Sequence, residues 1–332
     1  MLKFRQIILS IIYMIDIDNL PVLILAYNRN DKLKRSINTL KSHGIKKIFV
    51  SIDGARSSSD VDEQKLILNF CRKNDLELDI TINHLSSNYG CRLAPVKGIS
   101  WFFESNKYGV ILEDDVTVSK NCLEVFDLLL KKYSKSKRFM TLTSFYEYDH
   151  DEYPNLYSLP VWRSWGWASW SNKWFEHIEL VEKIENYSMN KLYKLLPEGL
   201  KSYETIKILK SCQLNLLDAW DYEFNFTHII KNYKSLAIGG INTQNYGFDK
   251  SATHTFNEDH SDIDFSLYKE SKINDKNIVV LNFSESKMIL EKCGFHFSEY
   301  KHSENEIKNK IIFFIFSIFY KLRKIKRFFF KN

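Results

Sequence analysis

The stretch Gly109-Val-Ile-Leu-Glu-Asp-Asp-Val116 decides how the chain is interpreted. Its first half is an apolar strand, and that strand ends in three consecutive acids, Glu113, Asp114 and Asp115. Mostly parallel sheets bind their ligands at the carboxyl ends of strands, where these acids would lie. Adjacent carboxylates repel one another unless a cation or hydrogen-bond donors balance them, and their oxygens suit Mg²⁺ or Mn²⁺. The stretch predicts a metal–diphosphate site; the alternative is an acidic turn before the helix that starts near Asn121.

The segments before this stretch predict an α/β fold. Four apolar strands alternate with three amphipathic helices, and this order favours a mostly parallel central sheet with helices on both faces. Asp31 is predicted to cap the first helix. The predicted strands cover residues 21–27, 47–52, 78–83 and 109–112, and the predicted helices cover residues 31–43, 60–73 and 93–105. Candidate core positions of the second helix are Val61, Leu66, Ile67 and Phe70.

Composition excludes several classes of protein. The 332 residues are 44% hydrophobic and include only 11 Gly and 5 Pro, so the chain can bury a core and shows no linker or repeat. The formal net charge is +6, but residues 307–332 carry eight Lys and Arg and no Asp or Glu. The rest of the chain is close to neutral, which argues against a nucleic-acid partner.

The cysteines and the N-terminus have little signal of their own. Five cysteines are widely spaced without a CxxC pair, which predicts buried or inert thiols in a reducing compartment. Residues 1–19 form an N-terminal extension whose apolar run is too short to span a bilayer, and Met14 is a second candidate start.

Polar residues follow the first two predicted strands as well. Tyr27 and Arg29 come after the first strand, and Asp53 comes after the second. Neither a GxGxxG nor a GxxxxGK[ST] pattern is present, so a dinucleotide fold and a P-loop are not expected. Arg29 could pair with a phosphate and Asp53 with a base or ribose; alternatively, they are a surface arginine and a turn aspartate.

The order AYNR, SIDG, NYGCRL, VILEDD, a Trp/Gly segment and AWD resembles the GT-A (nucleotide-diphospho-sugar transferase) fold, and in particular the N-acetylglucosaminyltransferase I family and its bacterial relatives. The resemblance covers roughly residues 20–255 and divides them into a nucleotide-binding half, residues 20–118, and an acceptor half, residues 119–255. Residues 256–306 form a polar C-terminal segment beyond it.

The resemblance implies roles for individual residues. It implies that Tyr27, Arg29 and Asp53 hold the nucleotide, with Arg92 in a loop nearby. It implies that Asp115 ligates Mn²⁺ or Mg²⁺, and that Asp114 and Glu113 contact ribose, sugar or metal-bound water.

The segment 161–174 contains five tryptophans, and aromatic rings near a polar cleft suit sugars. Trp170 and Trp174, four residues apart, are expected in the core. Resemblance to the family favours Trp165, Gly166 and Trp167 as the donor and acceptor pocket.

Further acids lie in the sequence Asp218-Ala-Trp-Asp221-Tyr-Glu223. Sugar transfer to a hydroxyl needs a general base, and the resemblance assigns that role to Asp221, with Glu223 and Asp218 as alternatives. These acids could instead face solvent at a helix start. His254 is a candidate for completing the metal site, although a loop histidine is often without a ligand.

Residues 307–332 combine a ten-residue apolar run, 311–320, with basic and aromatic residues. This run is too short to cross a bilayer but suits an amphipathic helix on an anionic membrane surface. The alternative is a helix packed on the protein body.

Together these features predict a metal-dependent glycosyltransferase on the inner face of a membrane in the cytoplasm, and the resemblance implies that it inverts the anomeric centre. Its partners would be a nucleotide diphosphate sugar and a glycan or lipid-linked glycan, in cell-surface polysaccharide synthesis. The alternatives are a metal-dependent sugar nucleotidyltransferase and a non-catalytic carbohydrate- or membrane-binding protein.

Overall fold

The structure is a computed structural model that describes residues 15–72, 77–146, 155–247, 274–281, 285–287 and 290. The predictions for His254, for residues 1–14 and for residues 307–332 fall outside this part of the chain.

Strands and helices alternate through the first half, and helices dominate the second. The strands are β1 (Val22–Ala26), β2 (Lys47–Ile52), β3 (Asp79–His84), β4 (Tyr108–Glu113), β5 (Val116–Val118), β6 (Phe139–Thr143), β7 (Phe145–Tyr146), β8 (Asn155–Leu159), β9 (Trp167–Trp170), β10 (Lys234–Ile238), β11 (Gly240–Ile241), β12 (Thr243–Asn245) and β13 (Asn274–Val280). The α-helices are α1 (Asn30–Ser42), α2 (Ser58–Cys71), α3 (Gly90–Ser105), α4 (Lys120–Lys132), α5 (Ser171–Glu185), α6 (Met189–Tyr193), α7 (Tyr203–Gln213) and α8 (Asp221–Ile230), with 3-10 turns at Ile17–Asn19 and Glu198–Leu200.

Nine of the described strands form one central sheet in the order β13-β8-β10-β6-β9-β4-β1-β2-β3. β3, β2, β1 and β4 are mutually parallel, and β9 runs antiparallel between β4 and β6. β5 pairs with β12, and β7 pairs with β11, in two short ribbons. The predicted α/β fold with a mostly parallel central sheet is confirmed.

The core lies on both faces of this sheet, because alternate strand residues point to opposite sides. On β1, Val22 and Ile24 belong to a cluster with α1 and α4, whereas Leu23 belongs to an aromatic-rich cluster with α3. Helices therefore cover both faces, as predicted.

Two helix starts differ from the prediction. α1 begins at Asn30 with Arg29 as its N-cap residue, so Asp31 lies in the first turn and is not the cap. α2 begins after Ser57, whose side chain and that of Asp60 form a reciprocal capping box.

The buried face of α2 also differs in part from the prediction. Ile67 is buried as predicted, but Val61 and Leu66 are 41% and 48% exposed. The prediction that they belong to the core is wrong, because the buried face of α2 includes the polar residues Asp60 and Gln64.

The sheet is not confined to residues 20–255, since β13 pairs in parallel with β8 at its edge. Among the described helices, none combines the length and apolar character needed to span a bilayer.

Candidate active site

A cavity of about 600 Å³ opens at the carboxyl ends of β4, β1 and β2, which are neighbours in the sheet. It is lined on one side by residues that follow these strands and on the other by the segment that leads into α8. The lining includes Tyr27, Asn28, Arg29, Asp53, Arg56, Gly90, Cys91, Glu113, Asp114, Asp115, Ser164, Trp165, Asp218, Trp220, Asp221, Tyr222, Asn245 and Gly247. The structure thus brings together most of the residues singled out in the sequence.

We call Arg29, Glu113, Asp114 and Asp115 the strand-end wall. The Arg29 guanidinium forms a salt bridge with each aspartate; its Nη1 lies 2.7 Å from Asp115 Oδ2, and its Nη2 contacts Asp114 Oδ1. The backbone holds the wall in register, because Asp114 N donates to Leu25 O on β1 at 3.0 Å. One planar cation therefore bridges two buried, adjacent carboxylates.

The electrostatics of this wall favour a further cation. Burial, together with the charges of Asp115 and Asp114, raises the pKa of Glu113. Burial also raises the pKa of Asp114, against the lowering effect of Arg29. Burial acts to lower the pKa of Arg29, but the two aspartates outweigh it and raise that pKa above its ordinary value. One arginine does not fully balance three carboxylates.

Two carboxylate oxygens of the wall, Asp114 Oδ2 and Asp115 Oδ1, are buried and have no hydrogen-bond partner among the described residues. Buried charged oxygens are normally satisfied, so this pair fits a divalent cation. Within the described ranges no group of three or more His, Cys, Asp or Glu side chains is arranged to hold a metal. Mg²⁺ commonly takes one or two protein carboxylates and completes its shell with water and substrate phosphates, so the residues fit such a shared site.

Asp53 follows β2 and is 7% exposed. Its Oδ1 accepts from Gly54 N and Tyr89 N at 2.9 and 2.8 Å, and its Oδ2 accepts from Asn88 Nδ2 and Gly90 N at 2.9 and 3.0 Å. These four donors fix the loop that enters α3. The predicted contact of Asp53 with a base or ribose stays a prediction, and the observed bonds give the residue a structural task.

Tyr27 follows β1, and its hydroxyl donates to Asp60 Oδ2 at 2.8 Å. Burial and this bond raise the pKa of Tyr27 to about 12. The Arg56 guanidinium lies 5.4 Å from the centre of the Tyr27 ring and donates through Nε to Asn88 Oδ1 at 2.9 Å. The Tyr27 ring and the Arg56 guanidinium therefore lie next to each other at the cavity.

We call residues 218–223 the helix-entry wall. Asp218 accepts from the backbone N–H groups of Cys91 and Arg92 at 3.0 and 2.7 Å, so it caps α3 from a distant part of the chain. Asp221 is the first residue of α8, lines the cavity and adds to the raised pKa of Glu113 on the opposite wall. Asp221 is thus close enough to the strand-end wall for the two charges to interact.

Arg92 and Glu223 are two of the predicted site residues that do not line the cavity. The Arg92 guanidinium holds the Glu223 carboxylate in a fork, with Nε–Oε2 and Nη2–Oε1 distances of 2.9 and 3.1 Å. Glu223 is 4% exposed, and burial raises its pKa against the lowering effect of Arg92. The fork occupies both side chains, which is a physical reason against direct contact with a nucleotide or an acceptor.

The tryptophan segment divides in two. Trp165 lines the cavity, with the Arg163 guanidinium 5.6 Å from its ring centre. Gly166 has φ +74, and an added Cβ would lie 2.6 Å from Val118 Cγ1, so the position requires glycine.

Trp167 is buried rather than in the pocket, because it packs in an aromatic cluster of Trp162, Trp167, Trp174, Trp220 and Phe224. Trp170 and Trp174 are buried as expected. Trp167 had no distinguishing signal in the sequence, because Trp165, two residues earlier, lines the cavity while Trp167 is buried.

Arg56, Asp60 and Gln64 also belong to the site or support it, and none of them was predicted from the sequence. Arg56 follows Asp53 by three residues in the same loop, which is a signal that could have identified it. Gln64 Nε2 donates to the backbone oxygens of Tyr27 and Asp53 at 3.1 and 2.8 Å, and thereby ties the ends of β1 and β2 together. No local pattern marks Gln64, since it lies mid-helix on α2.

No protein-family model and no curated protein matches the chain. Among solved structures, HddC from Yersinia pseudotuberculosis is similar over 46% of this chain and 77% of its own, at 14% identity and a TM-score of 0.29. The same protein in complex with GMP-PN gives 13% identity and a TM-score of 0.30. A proposed glucose-1-phosphate thymidylyltransferase from Bacillus anthracis, in complex with a sucrose, is similar over 68% of this chain and 89% of its own, at 10% identity and a TM-score of 0.30. These values are too low to transfer an activity.

Proposed function

We propose that this protein is an enzyme that transfers a sugar from a nucleotide diphosphate sugar to a hydroxyl group of a glycan or lipid-linked glycan. The observation that carries the proposal is the pair of acidic walls that face each other across one cavity at the strand ends. A volume of about 600 Å³ is in the usual range for a small-molecule site. It suits a donor and the reacting end of an acceptor.

The strand-end wall is proposed to bind the diphosphate together with Mn²⁺ or Mg²⁺. Asp115 would hold the ion through its unpartnered Oδ1, and Asp114 Oδ2 lies on the same wall. The metal, when bound, supplies charge that stabilises the leaving diphosphate. An N–H group of Arg29 that now bonds Asp115 could instead bond a phosphate oxygen of the nucleotide sugar. His254, which lies outside the described residues, is proposed as a further metal ligand.

The nucleoside is proposed to lie against the ends of β1 and β2. Tyr27 offers a ring face there, and Arg56 is an exposed cation whose guanidinium contacts the neutral Asn88 and the Tyr27 ring. Charge-assisted hydrogen bonds from a guanidinium suit phosphate or carbonyl oxygens. Arg56 is thus added to the residues named from the sequence.

Asp221 is proposed as the general base. It would take the proton of the acceptor hydroxyl, whose oxygen attacks the anomeric carbon of the donor. The bond from that carbon to the diphosphate oxygen breaks, and its electron pair leaves with the diphosphate. Attack from the side opposite to the leaving group inverts the anomeric centre. Trp165 and Tyr222, which line the same cavity as Asp221, would contact the acceptor sugar.

A sugar nucleotidyltransferase would use the same fold for a different reaction. In that reaction the phosphate of a sugar 1-phosphate attacks the α-phosphorus of a nucleoside triphosphate. Such a site must balance about four negative charges of the triphosphate, and cations do this in phosphoryl transfer. Within the described lining, the basic residues are Arg29 and Arg56, and no lysine is among them. Since Arg29 is already paired with two aspartates, this favours sugar transfer over nucleotidyl transfer.

The test is an incubation of the protein with Mn²⁺ and a panel of nucleotide sugars, each with water or simple glycosides as acceptors. Release of a nucleoside diphosphate, lost in the Asp115→Asn variant, supports the proposal.

A parallel panel of sugar 1-phosphates with nucleoside triphosphates measures pyrophosphate. Pyrophosphate release without sugar transfer would establish the nucleotidyltransferase alternative. Tight nucleotide binding with no turnover of either kind would indicate a non-catalytic binding protein.

We further propose, from the sequence of residues 307–332 alone, that the protein associates with the cytoplasmic face of a membrane. Six Lys and Arg lie between Lys321 and Lys331, and each would add about 1 kcal/mol near an anionic surface. Deletion of residues 307–332 is expected to abolish binding to vesicles that contain anionic lipid, while transfer to a soluble acceptor persists. Equal binding of the full and shortened chains to those vesicles would refute the proposal.

A further inference from the structure

The connection between α7 and α8 is attached to the first turn of α3 at several points. Arg92 Nη1 donates to Asn215 Oδ1 at 2.8 Å, and the backbone N–H of Arg92 donates to Asp218 Oδ1 at 2.7 Å. The backbone N–H of Cys91 donates to Asp218 Oδ2 at 3.0 Å. Residues that follow the third strand of the nucleotide-binding half thus hold a segment of the acceptor half.

The fork between Arg92 and Glu223 is a further attachment, two residues beyond Asp221. The exposed fractions of the two side chains are 12% and 4%, so water screens the pair little. Two parallel N–H···O bonds fix direction as well as distance. A single arginine therefore contacts the segment before Asp221 and the helix after it.

Local backbone geometry in the chain agrees with this arrangement. Asn215 has φ +55, a conformation that asparagine tolerates better than most residues. Gly90 has φ +76, and a Cβ there would lie 2.7 Å from Asp218 Oδ2. The approach of Asp218 to α3 therefore depends on a glycine, and the bend before it uses an asparagine.

We propose that Arg92 is a positioning residue that fixes the carboxylate of Asp221 opposite the strand-end wall, and so couples the nucleotide-binding half to the acceptor half. The proposal deepens the proposed function, because it takes Asp221 as the base. Arg92 itself touches neither donor nor acceptor, since it does not line the cavity.

A role in position differs from a role in stability alone. Replacement of a buried ion pair by apolar side chains of similar volume is often neutral for stability, whereas removal of one partner is costly. A catalytic group, in contrast, must be held within roughly 0.5 Å of its productive geometry. A paired apolar replacement should therefore preserve the fold and still impair the chemistry.

The experiment compares wild type with the double variant Arg92→Met/Glu223→Leu and with Arg92→Lys, which keeps the charge but loses the fork. Lys131→Met is the control, because it breaks a comparable pair with the buried Asp127 on α4, away from the cavity. Hydrogen exchange of residues 214–222 is measured in the free protein, and kcat and KM are measured with the nucleotide sugar that wild type turns over.

We expect faster exchange in residues 214–222 in both Arg92 variants and not in the control. We expect kcat to fall about 100-fold in the double variant, the effect of a misplacement of about 1 Å, and less in Arg92→Lys, with KM for the nucleotide sugar unchanged. Unchanged exchange would overturn the attachment, and wild-type kcat with faster exchange would overturn the positioning role. Absence of turnover by wild type itself would overturn the proposed function, whereas the exchange result would still test the attachment.

Discussion

The segments that form the two walls each contain three carboxylates within six residues, although Glu223 does not line the cavity, and the structure uses the two sets differently. On the strand-end wall, Glu113, Asp114 and Asp115 are adjacent, and two of them share one guanidinium. On the helix-entry wall, Asp218 caps a helix and Glu223 is held by Arg92. The partner of an acid, rather than its presence in a motif, therefore indicates its role.

The comparison also explains why the two walls suit different steps. Adjacent acids at a strand end concentrate negative charge, and two of their buried oxygens have no partner in the described part of the chain, which favours a cation. Separated acids at a helix start have partners of different kinds, and Asp221 lies between two residues that are held in place. The first arrangement suits charge neutralisation, and the second suits one oriented base.

The largest effect is expected for Asp115→Asn, which removes one charge from the strand-end wall. Because a metal contributes several kcal/mol to the stabilisation of a leaving group, turnover should fall by about 10⁴-fold or more. The assay is nucleoside diphosphate release with Mn²⁺, and circular dichroism checks the fold. Asp62→Asn, an exposed acid of α2, is the matched control. Turnover near that of wild type would refute the metal role of Asp115.

The next effect concerns the helix-entry wall. General bases contribute about 10²- to 10⁴-fold, so Asp221→Asn should lower kcat by that range, with KM for the nucleotide sugar unchanged. Glu223→Gln should be milder, because an amide oxygen still accepts from Arg92. A larger loss in Glu223→Gln than in Asp221→Asn would exchange the roles of the two acids and contradict our assignment.

The parts of the fold and of the cavity that depend on local sequence patterns could be predicted from the sequence. Apolar runs followed by polar residues identified the ends of β1, β2 and β4, and the order of strands and helices indicated a parallel sheet that brings those ends together. Arg29, Asp114 and Asp115 were predicted at the site for this reason, whereas Trp165 and Asp221 were predicted from the family resemblance, and all five line the cavity.

The rest depends on contacts between distant parts of the chain. Arg92 and Glu223 are 131 residues apart, and no local pattern predicts that they neutralise each other. Asp53 has four N–H donors, three of them from a loop more than 30 residues away, so its residue type alone did not reveal a structural task.

Removal of the shared cation should affect stability rather than chemistry first. Arg29→Ala leaves two buried carboxylates without their partner, a change that typically costs about 3–5 kcal/mol. In the presence of a chelator, the melting temperature of Arg29→Ala should be lower than that of wild type. Addition of Mn²⁺ should raise the melting temperature of Arg29→Ala by more than it raises that of wild type. Arg56→Ala, an exposed arginine of the same cavity, is the control. If Mn²⁺ raises the melting temperature of Arg29→Ala and wild type equally, the arginine and the metal do not act on the same charges.

The stability of the protein should depend on pH through two buried histidines in the core behind the helix-entry wall. Burial lowers the pKa of His177 to about 3 and that of His228 to about 4, and each ring bonds a threonine hydroxyl, at 2.8 and 3.0 Å. Below about pH 6.5 the unfolded chain binds protons that the folded chain does not, so stability falls as pH falls towards 4. The drop in melting temperature between pH 7 and pH 4.5 should be smaller in His177→Gln than in wild type. An equal drop would show that this histidine does not govern acid stability.

The division of labour between the two walls is tested most directly by nucleotide affinity. Calorimetric titration with Mn²⁺ and whichever of UDP, GDP, CDP and ADP binds wild type most tightly would be performed on Asp115→Asn and Asp221→Asn. We predict that Asp115→Asn loses Mn²⁺-dependent binding, whereas Asp221→Asn binds as wild type does. Full binding by Asp115→Asn, or loss of binding in Asp221→Asn, would contradict it.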